Sequence, residues 1–244
     1  MTAPRRIAMW SGPRNLSTAM MYAFAARGDC HAVDEPFYAA YLARTGKDHP
    51  MRDEILASQP QDPRAVIDAL TGPVPGGKPV AYHKHMAQHM IPGIPRDWIA
   101  GCTNVFLIRH PARVLASFAA KYENPTLDDI GFLQQQALFD ELRAAGERAV
   151  VIDSADIRRD PEAMIRVLCD AIDLTFDPAM LSWPEGGHPA DGVWARVWYG
   201  AVHRSTGFAG PEGDLPQVTG ALAPMVAAAL PAYDALAAEK LTLS

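Results

Sequence analysis

Arg14, Ser17 and Thr18 stand in the stretch Trp10-Ser-Gly-Pro-Arg-Asn-Leu-Ser-Thr18, which runs from an apolar segment into a helix-like pattern. Gly12 permits a tight turn there, and Pro13 to Thr18 lead into the first helical turn. The backbone N–H groups around Asn15 and Leu16, with a helix dipole behind them, suit a phosphate group. Arg14 adds a full charge and a bidentate fork. A capped helix with an exposed arginine would use the same residues. No lysine precedes Ser17, so this is not the lysine-containing nucleoside triphosphate loop, and a magnesium-dependent ATPase or GTPase loses ground.

Three more polar groups follow apolar runs. In Leu107-Ile-Arg-His-Pro-Ala-Arg-Val-Leu-Ala-Ser117, Arg109 ends a strand and Ser117 lies two turns into the next helix; Arg113 is expected to be solvated. In Val33-Asp-Glu-Pro-Phe37, alternation puts Asp34 on the side opposite Glu35. Glu35 can then serve as a general base, or as a structural partner of Arg14. Around Lys84, His83, His85 and His89 form a pattern that could suggest zinc. No cysteine or well-placed carboxylate completes the set. Site-lining or structural roles are expected, with no metal.

The elements that position these groups read as strand alternating with helix. Strands are expected at Arg6–Trp10, His31–Asp34, Pro79–His83, Thr103–Ile108 and Ala149–Ile152. Helices are expected at Leu16–Arg27, Pro63–Leu70, Val114–Tyr122, Asp128–Ala145, Pro161–Ile172 with Asp160 as N-cap, and Ala223–Lys240 interrupted by Pro231. The polar segment Lys47–Gly77 reads as a mobile or substrate-covering insertion, or as an ordinary surface excursion. This pattern predicts one α/β domain over residues 1–244, a three-layer sandwich around a mostly parallel five-stranded sheet. In such folds ligands bind at the carboxyl ends of the strands. All four polar groups fall on that edge, and four clusters on one edge make a site.

Composition narrows the class. The chain has 244 residues, 49% hydrophobic and 20% charged, with a formal net charge of −6. That argues against a nucleic-acid partner without excluding a local basic pocket. Cys30, Cys102 and Cys169 share no close spacing, which fits free thiols in a reducing compartment. There is no signal-peptide pattern and no long uninterrupted apolar run, so a cytoplasmic chain without a membrane span is expected.

The phosphate stretch resembles the 5′-phosphosulfate loop of the sulfotransferases, with Arg14 on its basic position and Ser17 and Thr18 on its hydroxyl pair. Leu16 stands at the family's usual glycine, and Ala19 where many members carry an adenine-stacking tryptophan. Arg109, followed by His110 and Pro111, with Ser117 eight positions on, resembles the family's 3′-phosphate motif. Val202-His-Arg-Ser-Thr-Gly-Phe208 is similar to the basic segment that closes over that phosphate, through Arg204 and Gly207. The segment 155–174 resembles the structural stretch after the fifth strand. Lys84 matches the lysine of a lysine–threonine–histidine motif whose histidine aligns with Met86, and Glu35 resembles the glutamate base of several bacterial members. The resemblance implies transfer of a sulfuryl group from 3′-phosphoadenosine 5′-phosphosulfate to a hydroxyl or amine of a small organic acceptor. Glu35, Lys84 and Arg14 would be the catalytic residues, adenosine 3′,5′-bisphosphate the product, and no metal would be needed. Two other readings stay open: a P-loop small-molecule or nucleotide kinase with an altered loop, and a non-catalytic protein that binds adenosine bisphosphate.

Overall fold

The five apolar runs form β1 (Arg5–Ser11), β2 (Cys30–Asp34), β3 (Val80–Met86), β4 (Thr103–Ile108) and β5 (Ala149–Asp153). A computed structural model describes residues 3–119 and 125–243. The strands lie in the order β2-β3-β1-β4-β5, every neighbouring pair parallel. The chain leaves β1 toward one edge of the sheet and returns after β3 to build the other. Loops after β1, β3 and β4 therefore part at the centre of one sheet edge, the usual place for a ligand crevice.

Helices flank the sheet: α1 (Ser17–Ala25), α2 (Tyr38–Thr45), α3 (Arg52–Ser58), α4 (Pro63–Thr71), α5 (Pro111–Phe118), α6 (Leu127–Ile130), α7 (Phe132–Ala144), α8 (Ser154–Arg159), α9 (Pro161–Ala171), α10 (Ala195–Trp198), α11 (Gly200–His203) and α12 (Ala223–Ala237). Alternation along β1 sends Ile7 and Met9 to one face, where they pack with Met20 and Phe24 of α1 and Ile165 and Leu168 of α9. Ala8 and Trp10 face the other side, with Leu138 and Leu142 of α7 and Leu236 of α12. Both faces are covered, as an all-parallel sheet requires.

Several elements differ from expectation. β3 continues past His83 to Met86, with every residue buried. Lys47–Gly77 folds into α3 and α4, whose Ile55, Val66 and Leu70 are buried. The helix expected from Asp128 to Ala145 breaks at Gly131, where φ is +73° and an added Cβ would stand 2.9 Å from Gln88 Oε1. α12 runs through Pro231, because the missing N–H falls on its exposed face. The expected helix 114–122 is α5 up to Phe118, and its last residues lie outside the described ones. One helix, Gly220–Ala237, has the length and hydropathy of a membrane span. It lies on α7 and α5 with Ala229, Ala232 and Leu236 buried.

Candidate active site

The phosphate loop is built by the end of β1 and the start of α1. Leu16, the N-cap of α1, sits at φ +69° with no side-chain cap bond, so no capping side chain takes up the first-turn N–H groups. Arg14 is also left-handed, at φ +61°. Leu16 thus holds, as a leucine, the conformation a glycine would take freely. Gly12 is needed for a reason other than the turn: a Cβ there would collide with the carbonyl of Ile130 at the end of α6. Asn15 is buried and donates to the Leu107 carbonyl at 3.1 Å, tying the loop to β4. Gln135 of α7 donates to the carbonyls of Trp10 and Leu107, each at 3.0 Å. The α6–α7 corner is the floor under the loop.

Arg14 crosses the loop's mouth. Its Nε donates to Ser117 Oγ at 2.9 Å and its Nη1 to the Trp198 carbonyl at 3.2 Å. Burial, and then the neighbouring Arg109, lower its pKa. Arg109 donates to the Arg14 carbonyl at 2.7 Å and pairs with Glu212. Glu212 also meets Arg113 Nε at 2.7 Å and Arg158 Nη1 at 2.9 Å, and its side chain is only 3% exposed. Arg113 is therefore not a solvated residue, because a buried carboxylate draws it in.

Beside the loop lies a buried charge centre. Lys84 Nζ donates to Asp34 Oδ1 at 2.8 Å, to Glu35 Oε1 at 2.6 Å and to the Tyr199 hydroxyl. That hydroxyl lies 2.9 Å from both Asp34 oxygens and accepts from Trp194 Nε1 at 2.9 Å. Asp34 further accepts from the Gly192 N–H at 3.0 Å. Alternation would have parted Asp34 from Glu35, but β2 ends between them. Glu35 takes φ +39°, and both carboxylates turn to the same ammonium. The partner of Glu35 is Lys84, not Arg14. Burial alone would lower Lys84, but the two carboxylates outweigh it and its pKa rises. Burial pushes the Glu35 carboxyl up; Lys84 opposes the shift and Asp34 adds to it.

One cavity of about 280 Å³ joins the two centres. Residues 13–19 line it together with Glu35, Lys84 and Tyr199 and with Arg109, Arg158 and Glu212. Tyr38, Tyr41, His49, Met86, Phe118 and Trp198 give the remaining wall an aromatic and apolar character. Segments 38–77 and 183–215 both contribute to it. Gly207 reaches the cavity, whereas Arg204 is exposed and Ser117 acts through Arg14; neither lines it.

The histidines point elsewhere. His85 stacks on Trp10 with centroids 4.4 Å apart, and His89 stacks between Tyr38 and Tyr41. Burial holds His83 down to about 3 and lowers His85 and His89 as well. Met86, at the position of the motif's histidine, lines the cavity. Among the described residues no group of three or more His, Cys, Asp or Glu is gathered as for a metal ion. The sequence reading missed Tyr199, Arg158 and Glu212. Arg158 could have been found, since it follows β5 on the same sheet edge that singled out Arg109. Tyr199 lies far along the chain from Lys84 and nothing local marks it.

A parallel sheet with an uncapped phosphate loop after β1 and basic residues after β4 defines a P-loop-type α/β protein. The sulfotransferase domain family matches residues 5–240, and the chain belongs to it. Its fold is similar to the sulfotransferase domain from the curacin biosynthetic pathway, at 14% identity and TM-score 0.57, covering 95% of this chain and 99% of that one. It is also similar to a sulfotransferase from Alicyclobacillus acidocaldarius, at 13% identity and TM-score 0.54, covering 98% of both. In sequence it is 39% identical over 213 residues to branched-chain-amino-acid aminotransferase-like protein 1 of Arabidopsis thaliana. The match takes in 87% of this chain and 38% of that protein, so the chain spans little over a third of that relative's length. A second Arabidopsis thaliana protein of the same kind is 38% identical, over 83% of this chain and 36% of its own length.

Proposed function

We propose that the chain moves a sulfuryl group from 3′-phosphoadenosine 5′-phosphosulfate to a hydroxyl or amine of a small organic acceptor. The observation that carries this is the single cavity shared by the phosphate loop and the Lys84–Glu35 centre. The donor fits the residues present: an uncapped helix start for one anionic end, and Arg109 and Arg158 at the other, where Arg109 Nε is buried without a partner among the described residues. The donor supplies the activated sulfuryl group. Arg14 and the N–H groups at the start of α1 oppose the charge that grows on the departing phosphate. Glu35 receives the acceptor's proton. Lys84 and Tyr199 both bond to its Oε1, so Oε2 is the oxygen left for that task. The aromatic wall excludes water and suits an acceptor with an apolar body.

A base whose pKa is raised by burial works closer to neutral pH than an ordinary carboxylate. The acid limb of kcat should therefore lie above the ordinary glutamate value. Glu35→Gln keeps the size but cannot take the proton. Sulfate transfer from labelled donor to a panel of alcohols, phenols and amines should fall by about 10²–10⁴-fold, while donor binding survives. Full activity in the Gln variant would remove Glu35 as the base, and no transfer in the parent protein would favour a binding role.

A further inference from the structure

Glu212 sits in the stretch 208–219, a strap without regular secondary structure that brings Ala209 and Glu212 to the cavity wall. Its neighbours Gly210, Pro211, Gly213, Asp214 and Leu215 are exposed, yet its own carboxylate is almost wholly buried. That carboxylate is met by arginines from three elements: Arg109 after β4, Arg113 of α5 and Arg158 of α8. The same arginines hold the strap's backbone, Arg158 Nε donating to the Gly210 carbonyl at 2.8 Å and Arg113 to that of Gly213. Three guanidinium groups around one carboxylate leave two positive charges in excess. Arg109 Nε is buried with no partner among the described residues. A phosphate monoester, with nearly two negative charges and three acceptor oxygens, matches this cradle better than one carboxylate does.

We propose that Glu212 is a built-in occupant of an anion site: a nucleotide's terminal phosphate displaces its carboxylate, and Arg113 and Arg158 then bind that phosphate beside Arg109. The strap lifts and recloses as this happens. The idea rests on the donor reading above for which phosphate it is, the 3′-phosphate. The displacement itself rests only on the arginine cradle. Removing an internal competitor raises the fraction of protein competent to bind, and apparent affinity rises with that fraction.

Titration calorimetry of the whole chain tests this with two probes, adenosine 3′,5′-bisphosphate and inorganic phosphate. Glu212→Gln should bind both more tightly, on the order of tenfold, and should be clipped faster in the strap by a dilute protease when no ligand is present. Arg158→Gln should lose about 10- to 100-fold in affinity for adenosine 3′,5′-bisphosphate and little for adenosine 5′-phosphate. Weaker or unchanged phosphate binding in Glu212→Gln would make the carboxylate a structural clamp and overturn the proposal. If that variant does not fold, Glu212→Asp, which retracts the carboxylate from the arginines, must show the same gain in smaller measure. A gain for inorganic phosphate with no binding of the bisphosphate nucleotide would sink the donor reading and leave the displacement standing.

Discussion

The hydroxyls of Tyr199 and Tyr82 are both buried, yet they have opposite surroundings. Tyr199 holds bonds to Lys84, Asp34, Glu35 and Trp194, while the Tyr82 hydroxyl has no partner among the described residues. Truncating Tyr199 leaves an indole N–H and two carboxylates short of a partner in a dry site, where each loss is costly. Tyr199→Phe should therefore lower stability by about 1–3 kcal/mol. Tyr82→Phe removes an unpaired polar atom and should be neutral or slightly stabilising. Urea unfolding of the two variants beside the parent checks the contrast, and equal losses would mean the Lys84 centre does not hold the native state together. Glu35 and Lys84 were legible in the sequence because each follows an apolar run on the ligand edge. The way Asp34 joins them was not, since it depends on one backbone turn at Glu35 that breaks the strand's alternation.

The phosphate loop is held from below by α6 and α7, and this support sets what Gly12 must be. Ile130 presents its carbonyl to Gly12, and Gln135 binds the carbonyls at the ends of β1 and β4. Gly12→Ala would push the end of β1 away from Ile130 at a cost of about 1–3 kcal/mol, the usual penalty for overpacking a tight interior. Because the shift moves the whole loop, affinity for nucleotides with and without a 3′-phosphate should fall together. Melting curves and paired titrations of adenosine 3′,5′-bisphosphate and ADP read this. A loss confined to one nucleotide would show that the floor does not act on the loop as a unit. The five strands were legible from their apolar runs, and α1 and α9 from periodicity and the Asp160 cap. The break at Gly131 was hidden because a helical pattern continues across it. The close approach of Gln88, 43 positions earlier in the chain, is what demands the glycine.

At the scale of the whole molecule, one sheet edge gathers loops from β1, β2, β3, β4 and β5 around a single cavity, so a ligand there bonds the halves of the sheet to each other. Occupancy should then appear as global stability. Adenosine 3′,5′-bisphosphate at about 100 times its dissociation constant should add roughly 2.7 kcal/mol, which for a chain this size is about 5–10 °C in Tm. On the proposed reading the shift should not require a metal, because Arg14, Arg109 and the N–H groups of α1 are assigned to the anionic groups. ADP reaches only the phosphate loop and should raise Tm by less at equal concentration. Arg109→Ala should narrow the difference between the two nucleotides, since that charge is assigned to the 3′-phosphate together with Arg113 and Arg158. Differential scanning fluorimetry with adenosine 3′,5′-bisphosphate, ADP and Mg-ATP, each with and without a chelator, makes the measurement. A shift with Mg-ATP that equals or exceeds that of the bisphosphate, and vanishes with the chelator, would turn the reading toward phosphoryl transfer. A shift that survives the chelator and tracks the 3′-phosphate would hold it on sulfuryl transfer, because that donor's second phosphate is what the proposed reading assigns to the arginines around Glu212.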